Sequence, residues 1–203
     1  MDVLHRFEEA LKSNQSVFEI DLTTETVSVL GVYYSLLSRW NARLHLVAPC
    51  SAEEFATRHV LESLMLLKHL PQGAKIADIG SGAGLPIIPC LIARPDLHAT
   101  LIESSQKKSV FLREALNTVA RRAVIIARPF EEVPAPDVSF VTCRALEQFV
   151  EKVPEIIHWA PRGSSLLLFG GETLRQKLGK ETREFKIPLS ERRFLFVTTD
   201  NAI

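Results

Sequence analysis

Apolar and polar positions divide the chain into a helical first part and an alternating remainder. Before residue 70, apolar side chains recur at three- and four-residue steps, as in Val27, Leu30, Tyr34 and Leu37, which is the spacing of an amphipathic helix. Possible capping residues and prolines between the apolar stretches separate three helices. The predicted helices cover 1–14, about 24–44 with Trp40 on the apolar side, and 51–70.

From Ala74 onward, short apolar runs alternate with helical patterns, which predicts βαβ units and a mostly parallel sheet. Only a short link separates the last two runs, so we expect that pair to be antiparallel. The predicted strands are 74–79, 98–103, 123–127, 137–143, 164–169, 183–188 and 193–199, and the predicted helices are 84–93, 105–120, 146–159 and 171–178. We therefore expect an N-terminal helical cap at 1–72 and a sheet domain at 73–203, in one compact unit.

A glycine-rich stretch follows the first predicted strand and precedes a helix. Gly80, Gly82 and Gly84 form a G-x-G-x-G spacing, and strand, glycine turn and helix in this order is the setting in which such motifs bind nucleotides. Glycine lets the backbone approach a ligand, and the helix directs free N–H groups at it. Leu85 stands where the dinucleotide fingerprint has a further glycine, and Asp78 offers an anion to a cationic group. This favours S-adenosylmethionine over NAD; an ordinary tight turn is the alternative.

Residues that follow the other strands are further candidates, because ligands of open parallel sheets bind beyond the carboxyl ends of the strands. Glu103 can accept hydrogen bonds from both ribose hydroxyls, or can serve as the N-terminal acid of the next helix. Phe130 and Glu131 can offer an aromatic face and a polar anchor to a nucleobase, or can form a solvated turn. Arg144 is costly to bury alone, so we expect it to meet an anion, either a protein carboxylate or a ligand.

Composition narrows the class of protein. The 24 Lys and Arg residues balance 24 Asp and Glu, so any nucleic-acid contact must come from local patches. No run of 18 apolar residues is present, and the N-terminus does not resemble a signal peptide. The three cysteines are far apart and no metal-ligand spacing occurs, so we expect reduced thiols, no metal and a cytoplasmic location. The cysteines are Cys50, Cys90 and Cys143.

With these residues in view, the chain resembles the bacterial 16S ribosomal RNA methyltransferase G family, also called glucose-inhibited division protein B. The likeness runs from about residue 30 to the C-terminus, and its most specific parts are an R-H-x-x-E-S segment, G-x-G-x-G-L-P and a later R-A. The matching residues are Arg39-Trp40-Asn41, Arg58-His59 with Glu62-Ser63, Asp78 to Pro86, Ile88-Pro89, Leu101 to Ser104, Lys107-Lys108, Phe111-Leu112, Glu131-Glu132 and Arg144-Ala145.

The resemblance implies a Rossmann-like class I S-adenosylmethionine-dependent methyltransferase: a seven-stranded, mostly parallel sheet with an N-terminal helical cap. The family methylates N7 of one guanine in 16S rRNA of the small ribosomal subunit. Because N7 carries a lone pair and no proton, the transfer needs no general base. Carried over by position, the cofactor contacts are Gly80, Leu85, Phe130, Glu131 and Arg144, with Glu103 as the ribose-binding acid.

Arg144 is the expected catalytic residue, as a bridge between cofactor and guanine. Expected RNA contacts are Arg58, His59, Lys107 and Lys108, each with the alternative of a solvated helix face or, for the histidine, a structural role. We expect a monomer without metal or membrane association.

The chain departs from the family at three places, where substrate contacts could differ: the family has Asn-Leu-Thr, a glycine and Lys-Gly at positions that here are His45-Leu46-Val47, Ile87 and Gly170-Gly171. A methyltransferase of the same fold that acts on a small molecule or protein, and a non-catalytic nucleotide-binding protein, are the alternatives to an rRNA methyltransferase.

Overall fold

Helices at the N-terminus pack against one face of a seven-stranded sheet in the computed structural model, which describes residues 2–144, 149–179 and 181–198. The N-terminal α-helices are α1 (Val3–Asn14), α2 (Thr24–Leu44), α3 (Ala52–Glu54) and α4 (Glu62–Leu64). A π-helix (Phe55–Leu61) joins α3 to α4, and a 3₁₀-helix (Met65–His69) follows α4.

Side-chain caps explain where these helices begin. The Thr23 hydroxyl accepts a hydrogen bond from the Thr26 amide at 3.1 Å, and the Ser51 hydroxyl accepts one from the Glu54 amide at 3.1 Å. The predicted helix over 51–70 is therefore confirmed as a helical segment, but its hydrogen-bonding pattern changes from α to π, back to α and finally to 3₁₀. π-helical turns are rare and recur at functional sites.

The sheet has the strand order β3-β2-β1-β4-β5-β7-β6, and the predicted seven-stranded, mostly parallel sheet is confirmed. Only β7 runs against its neighbours β5 and β6, as expected for a closing hairpin. The strands are β1 (Lys75–Ile79), β2 (His98–Ile102), β3 (Val124–Ile126), β4 (Phe140–Arg144), β5 (Ser165–Gly170), β6 (Arg183–Lys186) and β7 (Phe194–Val197). The crossover helices are α5 (Ile87–Ala93), α6 (Gln106–Thr118), α7 (Phe149–Trp159) and α8 (Glu172–Arg175), with a 3₁₀-helix (Phe130–Glu132) after β3.

Alternate residues of the strands pack into two separate apolar cores, one on each face of the sheet. In β5, Leu167 and Phe169 join the N-terminal helices, whereas Leu166 and Leu168 join the face covered by α7. The first cluster runs from Phe7 in α1 to β7, so cap and sheet share one apolar core. The boundary between 72 and 73 stays a prediction.

The apolar stripe predicted for α2 faces the core, with Val27, Leu30 and Leu37 buried, and Tyr33 widens this face. Tyr33 is fully buried, whereas Tyr34 and Trp40 are only partly buried. α1 crosses close to α2, and a Cβ atom at Gly31 would lie 3.0 Å from Leu4 Cδ1, so this glycine permits the approach. The apolar spacing missed Tyr33 because the glycine turn, which covers it, belongs to a distant part of the chain.

Element boundaries differ from the predictions where the backbone turns. The helix predicted to begin at 84 begins at Ile87, because residues 80, 82 and 84 adopt positive φ angles. The fourth strand begins at Phe140, and α8 is confined to Glu172–Arg175. Ala145 of the R-A motif and residues 146–148 of the predicted helix lie outside the described residues.

Candidate active site at the carboxyl edge of the sheet

The glycine turn lies where the strand order reverses. β1 is flanked by β2 on one side and β4 on the other, so the ends of β1 and β4 border the switch point at which ligands bind in such sheets. Gly80, Gly82 and Gly84 have φ angles of 69°, 50° and 81°, which residues with a side chain rarely adopt. A Cβ atom at Gly84 would lie 2.4 Å from Ile88 Cδ1, so only glycine fits where the turn meets α5.

Asp78 carries the unusual charge of this turn. Its side chain is fully buried, and neither carboxylate oxygen has a hydrogen-bond partner among the described residues. Burial raises the pKa of the Asp78 carboxyl well above its usual range; the nearby Ser81 hydroxyl lowers it, and the charge of Glu103 raises it further. The Ser81 hydroxyl donates at 3.1 Å to the main-chain carbonyl of Asp78 and not to its carboxylate. An unpaired buried carboxylate is unfavourable unless it is neutralised, so this position is suited to a cationic ligand group.

Glu103, at the end of β2, connects the two turns that follow β1 and β2. It is 6% exposed, and its Oε2 and Oε1 atoms accept hydrogen bonds from the amides of Gly82 at 2.7 Å and Ser105 at 2.8 Å. The sequence left open whether this acid serves a ligand or the next helix. The contact with the amide of Ser105, the N-cap residue of α6, shows that Glu103 supports the start of the next helix. Each carboxylate oxygen can also accept a hydrogen bond from a hydroxyl group of a ligand.

Three cavities lie in a row along this edge. The central cavity, of about 390 Å³, is lined by the glycine turn, Glu103, Lys108 and Arg144. The Phe130 cavity, of about 370 Å³, shares Gly80 and Ser104 with it. The Arg193 cavity, of about 340 Å³, shares His59 and Arg144 with it.

A larger cavity of about 450 Å³ lies at the opposite, amino edge, lined by residues such as Lys75, His98 and Asp137. Sheets of this type do not bind their ligands there. We therefore assign the site to the row at the carboxyl edge, where the glycine turn and the carboxylates meet.

Arg144 ties β4 to the third helical segment of the cap. Its Nη2 atom donates to the Arg58 carbonyl at 2.7 Å and to Glu62 Oε2 at 3.2 Å, and Nη1 donates to Ser63 Oγ at 3.3 Å. Its guanidinium also lies 5.4 Å from the centre of the Phe169 ring. The anion expected to meet Arg144 is thus a protein carboxylate, and the same guanidinium lines two cavities.

The Glu62 carboxylate lies at the centre of a network of ion pairs with arginine side chains. Only 2% of its side chain is exposed, and its two oxygens face two cations: Arg144, and Arg193 whose Nη1 lies 2.5 Å from Oε1. Burial raises the pKa of the Glu62 carboxyl to about 7, although the neighbouring guanidinium groups of Arg144 and Arg193 lower it. Elements far apart in the chain are thereby held together at one buried carboxylate.

His59 lies on the π-helix between the central and Arg193 cavities. Burial lowers the pKa of its imidazole to about 3, and the Arg144 charge lowers it further, so the ring is neutral near pH 7. The ring lies 5.1 Å from that of Phe55, between centroids. A neutral, packed imidazole fits the structural reading of this residue and can still contact a ligand in either cavity.

Comparison with known proteins gives the family. The family model of rRNA small subunit methyltransferase G matches residues 26–201. The chain belongs to this family. The Ribosomal RNA small subunit methyltransferase G of Chromobacterium violaceum is 36% identical over 145 residues, which cover 70% of this chain and 69% of that protein. The resemblance seen in the motifs is thereby confirmed.

Solved structures share the fold at low sequence identity. A methyltransferase from Pyrococcus furiosus is similar with a TM-score of 0.57 and 13% identity, over 86% of this chain and 98% of that one. Pyrococcus horikoshii TYW2, solved in complex with MeSAdo, is similar with a TM-score of 0.56 and 15% identity, over 71% of this chain and 63% of that one. The predicted class I methyltransferase fold is confirmed.

The structure brings most of the candidate residues of this family member to the row of cavities. Asp78 lies beneath the glycine turn and lines none of the three cavities, and Lys107 is exposed and also lines none of them. The central cavity is lined by Gly80, Gly82, Leu85, Glu103, Lys108, His59 and Arg144, the Phe130 cavity by Phe130 and Glu131, and the Arg193 cavity by Arg58.

Phe130 and Glu131 are less available to a ligand than the sequence suggested. The Phe130 ring is 4% exposed, with Trp159 edge-on at 5.9 Å and the Lys152 amine 5.5 Å from its centre. The Glu131 carboxylate pairs with Lys152. Both residues still line their cavity, so a role in holding a nucleobase stays a prediction.

Sequence reasoning missed two residues that shape the site. The Tyr33 hydroxyl donates to the Ala83 carbonyl at 2.7 Å and thus ties α2 to the glycine turn. Arg193 lies just before β7 and reaches the cap. Glu62 was noted only as part of a motif, although an acid within an apolar helical run signals a buried charge that needs a partner. No comparable signal marks Arg193.

Two of the departures from the family pattern line the site. Leu46 and Val47 line the central cavity, and the Asn41 side chain fixes this segment through hydrogen bonds of 2.9 and 3.1 Å with the amide and carbonyl of Val47. Gly170 lines the Arg193 cavity, and a Cβ atom there would lie 2.4 Å from Leu174 Cδ2, so the start of α8 would have to shift. Ile87 is fully buried.

Proposed function

We propose that this protein uses S-adenosylmethionine to methylate N7 of a guanine in the 16S rRNA of the small ribosomal subunit. One observation supports this proposal above all. The glycine turn, Glu103 and a buried Asp78 carboxylate without a partner among the described residues lie together at the switch point of a class I methyltransferase sheet. Membership of the rRNA small subunit methyltransferase G family supports the RNA substrate.

The residues present fit S-adenosylmethionine. The Asp78 carboxylate, which lacks a partner among the described groups, would stabilise the cationic amino-acid end through the turn. Glu103 would accept hydrogen bonds from the ribose hydroxyls, and the Phe130 cavity would take the nucleobase, near Glu131. When bound, this cofactor supplies a methyl group on a sulfonium, which is a good leaving group. A dinucleotide-binding motif has a glycine at the position of Leu85. Here a buried leucine side chain lines the cavity, which argues against NAD.

The protein's own residues would act by orientation and by exclusion of water. Guanine N7 has a free lone pair and no proton to remove, so the neutral His59 imidazole need not act as a base. Holding reactants in line can lower a barrier by several kcal/mol. Arg144 lies at the junction of the central and Arg193 cavities and would orient the guanine beside the cofactor.

The finer assignments are part of the same proposal. Arg58, His59 and Lys108 lie at the cavities and would contact RNA, with Lys107 as an outer contact. The proposal keeps residues 1–72 as the cap and 73–203 as the methyltransferase domain of a protein that acts as a monomer. No described helix is long and apolar enough to cross a membrane, and no group of three described metal-ligand side chains comes together. A ribosomal RNA substrate supports a cytoplasmic site of action.

To test this proposal, the purified protein is incubated with labelled S-adenosylmethionine in three separate reactions. These contain small ribosomal subunits, naked 16S RNA or a total protein extract. We expect label in RNA, at a guanine whose N7 methylation makes the chain cleavable by aniline after borohydride reduction. Calorimetry should show binding of S-adenosylhomocysteine and none of NADH. Label confined to proteins or small molecules would refute the RNA substrate, and NADH binding would refute the cofactor.

A further inference from the structure

The Arg193 cavity adjoins the central cavity but contains no part of the glycine turn. His59 and Arg144 line both cavities and are the link between them. Its volume of about 340 Å³ lies within the range of small-ligand sites, roughly 300–1,000 Å³. If the glycine turn and Glu103 hold the cofactor, this neighbouring space is available to the second reactant.

One wall of this cavity is apolar. Phe169, at the end of β5, contributes an aromatic ring, and Leu174 and Ile187 add aliphatic side chains. These residues are nearly fully buried, so the wall is a fixed part of the fold. Bases that leave a stack are usually held between aromatic or apolar side chains, which makes this wall suited to a purine.

The rest of the lining is cationic. Arg58, Arg144 and Arg193 line the cavity with one carboxylate, Glu62, so positive charge exceeds negative charge among these groups. Arg193 is one third exposed, and besides its pair with Glu62 its Nε atom donates to Ser190 Oγ at 3.0 Å. Its Nη2 group retains donors for an anion, since a guanidinium has five N–H groups.

We propose that the Arg193 cavity receives the target nucleotide, with the base against Phe169 and Leu174 and its phosphate at Arg193. The assignment rests on the proposed function and names the subsite that function requires. Arg144, between the two cavities, would then contact the base edge beside N7, where arginine commonly donates to guanine O6. The apolar wall would bind the base, and the arginine would bind the backbone.

A steric variant tests the position of the base. Thr173 is exposed and lines the rim of the cavity, so Thr173→Trp should fill the cavity without disturbing the core. We expect rRNA methylation to fall about 100-fold or more, since small displacements of a reactant cost that much, while S-adenosylhomocysteine affinity and Tm stay unchanged. The matched control is Gln176→Trp, an exposed position that does not line the cavity. Wild-type methylation by Thr173→Trp would overturn the assignment.

A charge variant tests the phosphate contact. Arg193→Gln leaves Glu62 paired with Arg144, so the variant should fold with a lowered Tm. Well below that temperature, the KM for RNA should rise about tenfold with kcat and cofactor affinity retained, and the salt dependence of RNA binding should fall by the ~0.7 slope of one single-strand phosphate. Arg193→Lys should restore much of the affinity and the slope. Arg162→Gln, an exposed arginine just before β5 at the opposite edge of the sheet, is the control. An unchanged slope in Arg193→Gln would refute the phosphate contact, whereas a wild-type protein that labels no RNA would refute the proposed function and this assignment with it.

Discussion

The two halves of the carboxyl edge of the sheet differ in whether their buried carboxylate is paired. On the side of β1 and β2, the Asp78 carboxylate is fully buried with no hydrogen-bond partner among the described groups. On the side of β4 and β7, Glu62 is equally buried but is paired with both Arg144 and Arg193. The first half resembles a site that is completed by a ligand, and the second is completed by the protein itself.

The two buried carboxylates should contribute differently to the stability of the protein. A buried charge without a partner lowers stability, and a ligand group of opposite charge can offset that cost. A buried ion pair contributes little net stability compared with apolar packing, but it becomes essential once formed, because loss of one partner leaves the other charge buried and alone. Substitutions in the two halves should therefore have opposite effects on stability.

The largest effect is expected in the paired half. Glu62→Ala leaves the guanidinium groups of Arg144 and Arg193 without their carboxylate, so the free energy of unfolding should fall by about 3–5 kcal/mol in urea denaturation. Glu54→Ala is the control, because Glu54 forms an exposed pair with Arg58 and its loss should cost about 1 kcal/mol or less. Equal losses in the two variants would show that the Glu62 network is no more than a surface ion pair.

The second effect should have the opposite sign. Asp78→Asn removes a carboxyl group whose ionisation is disfavoured by burial, and should stabilise the cofactor-free protein by about 1–2 kcal/mol at neutral pH, while cofactor affinity falls about tenfold. Because the pKa of Asp78 is raised, the folded state keeps the proton at pH values where the unfolded chain has lost it, so the contribution of this group to wild-type stability falls as pH rises above about 4. The gain should therefore be largest near pH 7 and vanish near pH 4.

Denaturation and calorimetry of Asp78→Asn should be compared with those of Glu103→Gln. The two Glu103 oxygens accept backbone hydrogen bonds, so its substitution should destabilise the protein by about 1–3 kcal/mol. A destabilised Asp78→Asn protein would show that the Asp78 carboxylate has a structural partner and that the contrast between the halves is wrong.

The smallest effect concerns the contact between the cap and the turn. Tyr33→Phe removes the hydrogen bond to the Ala83 carbonyl and should cost about 1 kcal/mol of stability, with a few-fold loss of S-adenosylhomocysteine affinity in calorimetry. Tyr34→Phe is the neighbouring control, since that ring stacks on Phe7 at 4.5 Å and lies away from the turn. Full affinity in Tyr33→Phe would show that the cap does not position the cofactor site.

Local patterns predicted the parts of this molecule that depend on neighbours in the chain. The glycine spacing at 80–84 gave the turn, the apolar runs gave the strands, and the antiparallel end of the sheet followed from a short link. Predictions were weaker where packing decides the outcome. Tyr33 joins the interior face of α2 because a distant turn covers it, and the third helical segment contains a π-helix that the apolar spacing does not predict.

By itself the sequence determined the fold class, the glycine turn and the family, because these depend on periodicity and on residues close together in the chain. Only the tertiary structure decided which charges are paired. Arg144 was expected to meet an anion, but residues 62, 144 and 193 meet only when the cap, β4 and β7 converge, and no local pattern encodes that approach. The Asp78 carboxylate, buried in the same fold, has no hydrogen-bond partner among the described residues. Pairing of buried charge depends on distances across the fold, so only the tertiary structure distinguishes the half of the edge where a described carboxylate is unpaired from the half where it is paired.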